Sequence, residues 1–348
     1  MGHRVAVVGA TGAVGREIVS ILEERKFPID DLIPVASERS RGKTLRFRGQ
    51  EVPIVPLARG IFSSADFVLS SAGSFVSAQI AQEVIESGAV LIDNTSQFRM
   101  DPDVPLVVPE VNGNRIAAHQ GIIANPNCNA AILSPVLGPL RRAFGIERLF
   151  VATYQAASGA GSRAMHELEA ETDAVLNGRE HENTVIPYQY AFNCFIHNTE
   201  LMDNGYVTEE WKVMSELRKI LEEPDLPVNV HSVRVPVLRS HAEVVNIELE
   251  ANPSVDELYE LLAASPGVAV YGANGWNEDG LGPTPVEAAH TDDVHVGRIR
   301  RDVTSDRRYD LWLTGDQLRK GAALNAVQIA EKCIDNRVSK ITAAPERV

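Results

Sequence analysis

The sequence predicts an α/β protein: a doubly wound parallel sheet joined to a second domain of mixed α+β type. Three observations predict it. Up to about residue 130, short apolar runs alternate with amphipathic stretches, the strand–helix–strand rhythm of a parallel sheet with helices on both faces. The first apolar run ends in a glycine-rich turn that opens directly into a helix pattern. Beyond residue 129 the runs lengthen, and some alternate apolar and polar positions, as half-exposed antiparallel strands do.

Taken in order, residues 4–8 read as a buried strand ending in glycine, and residues 13–25 as a helix with Val14, Ile18, Ile21 and Leu22 on one face. Residues 32–36 and 67–70 continue the strands, 75–86 is helical, and 90–93 and 122–125 complete the series. Right-handed crossovers make such a series a doubly wound nucleotide-binding sheet. A helix over 130–144 follows the turn Pro126-Asn127-Cys128. Strands are expected over 149–155, 230–237 and 243–250, with a short helix at 256–263. The last element, an amphipathic helix over 316–333, is expected to return to the first domain. The domains are therefore 1–128 plus about 315–348, and 129–314 between them.

Composition fits this reading. A chain of 348 residues exceeds what one core usually holds. With 44% hydrophobic and 23% charged residues it has a globular profile, and no apolar run approaches the ~20 residues of a membrane helix. The N-terminus begins in a strand pattern, so no secretory signal is expected. Three widely spaced cysteines, Cys128, Cys194 and Cys333, argue against a disulfide framework and suit a reducing cytoplasm. A net charge of −14 disfavours nucleic acid and anionic membrane as partners. Two dense basic clusters stand out, residues 39–48 and 298–308, and the second reads as a solvated face. No metal-ligand spacing is evident.

The glycine-rich turn is Gly9-Ala10-Thr11-Gly12-Ala13-Val14-Gly15. Glycines let the chain turn sharply and approach a pyrophosphate, which then rests on the free N–H groups of the helix start. Strand before and helix after are the context this Rossmann-type motif requires. At the end of the second strand an NAD enzyme usually carries an acidic residue for the ribose hydroxyl. This chain has Ser37-Glu38-Arg39-Ser40-Arg41-Gly42-Lys43. Guanidinium forks suit a 2′-phosphate, so NADP is the expected cofactor, although Glu38 argues for NAD.

Asn125-Pro126-Asn127-Cys128-Asn129 lies between a strand and a helix. A free cysteine is most often a buried structural residue. Here the neighbours are polar, a helix N-terminus favours the thiolate, and its N–H groups can hold a developing oxyanion. Cys194 and Cys333 have ordinary apolar or helical surroundings. A thiolate beside a nicotinamide implies addition to an aldehyde, loss of hydride, and release of the acyl group by a second nucleophile.

At this point the chain resembles the aspartate-β-semialdehyde dehydrogenases over essentially its whole length. The resemblance rests on Gly9 to Gly15, the segment from Ser37 to Gly42, Ser71-Ala72-Gly73, Asp93-Asn94-Thr95-Ser96-Gln97-Phe98-Arg99, Asn125 to Cys128, Thr153 to Gly161, Arg234 to His241 and Arg319 to Asn325. It implies that Cys128 is the nucleophile, His241 the general acid/base and Gln155 the residue orienting the reacting group. It implies further that Arg234 binds the substrate carboxylate and Glu209 its ammonium group, and that Lys212, Arg99 and Asn127 bind phosphate. Thr11, Ala13 and Val14 of the glycine loop, Ser37, Arg39, Ser40, Ser71, Ala72, Gly73, Ser158, Gly159 and Asn325 would contact the cofactor. Without the resemblance, Glu209 and Lys212 read as an exposed helical ion pair. The family also implies a homodimer, built through the second domain.

The chain departs from the family where Asn129-Ala130 follow the nucleophile in place of a hydroxyl pair, and at Glu38. The activity implied is NADPH-dependent reduction of L-aspartyl-4-phosphate to its semialdehyde with release of phosphate, a step toward lysine, threonine and methionine. Two alternatives stand beside it. One is a related acyl-phosphate reductase, of the N-acetylglutamyl-phosphate type, whose substrate has no ammonium for Glu209. The other is a catalytically silent paralogue with a binding role, against which the joint presence of Cys128, Gln155, Arg234 and His241 argues.

Overall fold

The structure is a computed structural model that describes residues 2–272 and 282–336. Two units partition the chain, residues 1–126 with 322–348 and residues 127–321. Residues 337–348, assigned from the sequence to the first domain, lie outside the described residues.

The first unit opens with β1 (His3–Val8), α1 (Ala13–Glu24) and β2 (Ile29–Ala36). The hairpin β3 (Thr44–Phe47) and β4 (Gln50–Pro53) and the short β5 (Val55–Pro56) follow. Then come β6 (Phe67–Ser70), α2 (Ser74–Glu86), β7 (Val90–Asp93), the single turn α3 (Pro109–Asn112) and β8 (Ile122–Ala124). Six strands form one parallel sheet in the order β5-β2-β1-β6-β7-β8. The order reverses beside β1, the switch point at whose carboxyl edge doubly wound sheets bind ligands. β6 and β7 are buried throughout, which is why they read as unbroken apolar runs.

The second unit starts at Asn127. Its elements are α4 (Cys128–Phe144), β9 (Ile146–Gln155), α5 (Ser162–Leu176), β10 (Phe195–Ile196), α6 (Thr208–Leu221), β11 (Val228–Arg234) and β12 (His241–Leu249). They continue with α7 (Val255–Ala263), β13 (Val268–Val270), α8 (Pro285–Ala288), β14 (Val294–Arg301) and β15 (Arg308–Gly315). A mixed seven-stranded sheet runs β10-β11-β9-β12-β15-β14-β13, mostly antiparallel. Along β12, positions 241, 243, 245, 247 and 249 are buried while 244, 246 and 248 are half-exposed. The buried face meets α4, whose residues from Asn129 to Leu140 are buried on every side. That all-round burial lets α4 keep Pro135 and Pro139 in its interior: packing stabilises it where its own ladder lacks donors.

The chain returns to the first unit with α9 (Leu324–Asp335), where Val327, Ile329, Ala330 and Cys333 join Ile18, Ile21 and Leu22 of α1 in one core.

Three expectations need correction. The helix expected over 316–333 is a loop at Asp316, a π-helical turn at Arg319–Ala323 and only then α9. The return to the first unit accordingly falls at residue 322 rather than near 315, because residues 316–321 are tied to the second unit. The buried Asp316 carboxylate accepts from Arg239 Nε at 2.7 Å and from the His290 N–H at 2.7 Å, and Gln317 Oε1 accepts from the Ser240 N–H at 2.9 Å. At the first crossing, Asn127 and Cys128 fall in the second unit, since Glu216 and Glu209 of α6 hold Asn127. The basic stretch 298–308 presents the solvated face expected of it, carried on the end of β14 and the hairpin that follows. Its arginines pair with Asp310 and Glu248 on neighbouring strands.

Candidate active site

Cys128 is the first residue of α4, and Asn127 caps the helix by accepting the Asn129 N–H on Oδ1 at 2.9 Å. The cap fixes the turn that presents the sulfur. Register brings the other groups to it. Arg234 pairs with Gln155, and Ala242 with Tyr154, so Arg234, Gln155 and His241 lie side by side in one row across β11, β9 and β12. All three are buried.

Cys128 Sγ is 3.5 Å from His241 Nε2. The backbone N–H of Ala156 donates to His241 Nδ1 at 3.1 Å. A nitrogen that accepts carries no proton, so in the neutral ring the proton sits on Nε2, facing sulfur. Burial first, then the Arg234 and His197 charges, push the His241 pKa well below its ordinary value. The resting ring is therefore a neutral Nε2–H donor, and taking a second proton would break the Ala156 bond. Ser240, just before it, adopts φ +72°, a left-handed conformation costly for a residue with a side chain. Its N–H bond to Gln317 holds that turn, which starts β12 with the imidazole in place.

Glu209 is the hub of the cluster. Its Oε1 accepts from Asn127 Nδ2 at 2.9 Å, Asn129 Nδ2 at 3.2 Å and Gln155 Nε2 at 3.3 Å. Burial raises its pKa, but His197, the Asn127 amide, Lys212 and Arg234 outweigh burial and hold it below the ordinary carboxylate value. The expectation of an exposed ion pair with Lys212, read without the resemblance, thus gives way to a buried carboxylate. Arg234 is braced by Asn198 Oδ1 at 3.4 Å and the Ala156 carbonyl at 3.3 Å. A Cβ on Gly159 would stand 3.2 Å from Arg234 Nη1 and 3.2 Å from His241 Cε1, so Gly159 keeps space open over these groups. Ser158, expected at the cofactor, is buried and bonded to Gln317 Nε2.

Sequence reasoning assigned nothing to His197 or Gly321. His197 is buried, and burial followed by the Arg234 charge pushes its pKa to about 4. A Cβ on Gly321 would lie 3.0 Å from Cys128 Cβ. A glycine inside Arg319-Lys320-Gly321-Ala322-Ala323 was the available signal for the second; a lone histidine offered none for the first.

The first unit holds the remaining candidates. Gly9 has φ +84°, and a Cβ there would meet Ser71 Oγ at 3.0 Å. A Cβ on Gly15 would fall 2.2 Å from the Gly9 carbonyl oxygen, so only glycine lets α1 start against the loop. Gly12 caps α1 with no side-chain hydrogen bond and no acidic residue in the first turn. The helix-start N–H groups across Ala13 and Val14, next to Thr11, therefore suit an anion. Gly73, at φ +96°, opens α2 after Ser71 and Ala72 in the same manner. A pyrophosphate fits this cradle.

At the end of β2, Ser37 and Arg39 are exposed and Ser40 is buried in a 3₁₀ turn. Arg41 Nε donates to Glu38 Oε1 at 2.6 Å, so the acid that argued for NAD is engaged by a neighbouring cation. Arg99 is anchored by the carbonyls of Asn125 at 2.9 Å and Asn94 at 2.8 Å. Asn325 donates to Asn125 Oδ1 at 2.7 Å and to the Val107 carbonyl at 2.9 Å, and Asn125 donates to Asn94 Oδ1 at 3.1 Å. This amide ladder ties α9 to the carboxyl ends of β7 and β8. No group of metal-ligating side chains occurs among the described residues.

Comparison with known proteins decides the family. Residues 4–119 match the semialdehyde dehydrogenase NAD-binding domain, and residues 137–320 the semialdehyde dehydrogenase dimerisation domain. A Prochlorococcus marinus aspartate-semialdehyde dehydrogenase is 46% identical over 94% of both chains. The chain belongs to the aspartate-semialdehyde dehydrogenase family. Aspartate semialdehyde dehydrogenase II of Vibrio cholerae, solved in complex with ASA, superposes with a TM-score of 0.93 at 43% identity, covering 97% of this chain and 99% of that one. The Candida albicans enzyme, solved with NADP, gives 0.73 at 25% identity, with 97% and 99% covered. Among the described residues, no helix is long and apolar enough to cross a membrane.

Proposed function

We propose that this member of the family interconverts L-aspartyl-4-phosphate and L-aspartate 4-semialdehyde, with NADP as the hydride carrier. The observation that carries the reading is Cys128 Sγ at 3.5 Å from His241 Nε2, in one cluster with a buried carboxylate and a buried guanidinium. A thiolate at Cys128 adds to the aldehyde carbon and leaves an alkoxide. The Nε2–H of His241 is the donor for that oxygen, as it is for the sulfur. Because addition starts from the thiolate and hydride leaves from the alkoxide, no base has to take a proton between the two events. The neutral ring therefore suffices. The bound nicotinamide would exchange that hydride with the substrate carbon. Phosphate then attacks the thioester and frees the thiolate.

Arg234 takes the α-carboxylate and Glu209 the α-ammonium. The charge Glu209 keeps in spite of burial favours this substrate over one with an acylated nitrogen. Lys212, Asn127 and Arg99 serve the phosphate. The glycine loop, Ser71 to Gly73, Ser37, Arg39 and Ser40 hold the dinucleotide, with Arg39 on the 2′-phosphate; Ser158, Gly159 and Asn325 act by shaping its surroundings. The match of residues 137–320 to a dimerisation domain supports a homodimer, and three cysteines, few and widely spaced in the sequence, support a reducing cytoplasm.

Purified protein mixed with aspartate semialdehyde, NADP⁺ and phosphate should generate the absorbance of reduced nicotinamide, and omission of phosphate should stop turnover. No signal with this aldehyde, or a signal only with N-acetylglutamate semialdehyde, defeats the proposal. Equal kcat/KM with NAD⁺ defeats its cofactor part.

A further inference from the structure

We infer that Asn129 is a second hydrogen-bond donor to the Cys128 sulfur, oriented by Glu209, and that it sets the thiolate fraction of the nucleophile. The inference rests on the reading of Cys128 as the nucleophile. Asn129 Nδ2 lies 3.9 Å from Sγ, 3.2 Å from Glu209 Oε1 and 3.3 Å from Asn127 Oδ1. All three neighbours are acceptors. Turning the amide over would set its oxygen against the Glu209 carboxylate and the Asn127 carbonyl, so the donor orientation is fixed by the network. Asn129 is fully buried, and its Oδ1 meets no donor among the described residues. The site tolerates an unsatisfied carbonyl there while the NH2 end is engaged on every side.

The consequence is electrostatic. His241 Nε2–H meets the sulfur from β12, and Asn129 Nδ2–H meets it from the first turn of α4. An amide donor favours the charged sulfur over the neutral thiol. Glu209, by holding the same NH2, links the substrate's ammonium site to the nucleophile through one planar group. The other charged or titratable groups of the cluster are His197, Lys212 and Arg234, with Glu216 on the Asn127 N–H. A substitution confined to position 129 leaves all of them in the chain.

The test is the pH dependence of iodoacetamide alkylation, read at Cys128 by peptide mass spectrometry with exposed Cys194 as internal control. Asn129→Ala removes the donor, and its alkylation midpoint should rise by about 0.5–1 pH unit. Asn129→Asp keeps the shape but replaces the donor with a charged acceptor, and should raise it further. Asn129→Ser covers the case in which either variant fails to fold, since its hydroxyl ends one bond short of the Nδ2 position; it should shift in the same direction as alanine. Folded variants that share the parent's midpoint, or whose rates change equally at every pH, overturn the inference: that is the signature of altered packing alone. A parent with a depressed midpoint but no turnover of aspartate semialdehyde would instead sink the proposed reaction and leave this hydrogen bond standing.

Discussion

Glu243→Gln isolates a buried acid that the proposed chemistry does not use. Glu243 lies two residues after His241 on the same buried face of β12, is fully buried, and has no hydrogen-bond partner on either carboxyl oxygen among the described residues. Its cross-strand neighbours are Thr153 and Leu313, neither of them a cation. Burial alone drives its pKa well above the ordinary carboxyl value, so the fold holds it as the neutral acid. In the unfolded chain the same group ionises at about 4.3. The sign follows: the folded pKa is raised, so this group's stabilisation is complete below about 4.3 and is lost as pH rises toward the folded value. Within that window the unfolded state holds one proton fewer, which costs about 1.4 kcal/mol of stability per pH unit. Glutamine has nearly the same shape and does not titrate. Its own unsatisfied amide adds an offset that does not vary with pH. The variant should therefore gain on the parent as pH rises above about 4.3, by about 1.4 kcal/mol for each unit until the folded carboxyl ionises. Urea unfolding followed by tryptophan fluorescence measures this in the right place, since Trp211 and Trp312 belong to the second unit. Stability curves that stay parallel across this range would show that Glu243 is ionised in the fold and would refute the reasoning.

Other outcomes follow from the same geometry. Cys128→Ser should lower kcat by ~10³-fold or more with an unchanged melting curve, because the hydroxyl lacks thiolate character; rates near the parent's would remove sulfur from the mechanism. Lys212→Ala should raise the KM for phosphate about 10- to 100-fold while leaving that for the aldehyde nearly unchanged, the loss of one charge-assisted contact. Equal effects on both substrates would take Lys212 out of the phosphate site. Gly159→Ala should reduce kcat/KM by about tenfold, since the new methyl presses on Arg234 Nη1 and the His241 ring; full activity would mean that these side chains give way freely. Because the His241 pKa is pushed down, that ring should stay neutral as pH falls through about 6.5. NMR of the imidazole carbons should show that the signal lost in His241→Asn is one that does not titrate there, as that of His197 should not either; a titrating signal lost in that variant would contradict the Ala156 bond.

What could be read from the chain follows from the range of each interaction. The parallel sheet was legible because β6, β7 and residues 5–8 of β1 are buried on both faces and so carry uninterrupted apolar runs, and because the glycine loop is a local steric requirement. α4 was legible too, except that it begins at Cys128 rather than at residue 130: a cap at Asn127 is visible only once Oδ1 is seen to accept the Asn129 N–H. Strands β14 and β15 were obscured by arginines on their exposed faces, which pair with Asp310 and Glu248 from neighbouring strands. Charge partners so far apart in sequence leave no local trace. The same holds for the site. Resemblance named Cys128, Gln155, Arg234 and His241, but the row of the last three exists only through the register of β11, β9 and β12. A slip of one residue in β12 would turn His241 to the opposite face and bring its neighbour Ala242 inward. The pairing of eight consecutive residues with β15 resists such a slip. The left-handed Ser240 and its bond to Gln317 pin the strand's first residue. The chemistry thus depends on a strand register whose anchors, Ser240, Asp316 and Gln317, carry no catalytic signature of their own.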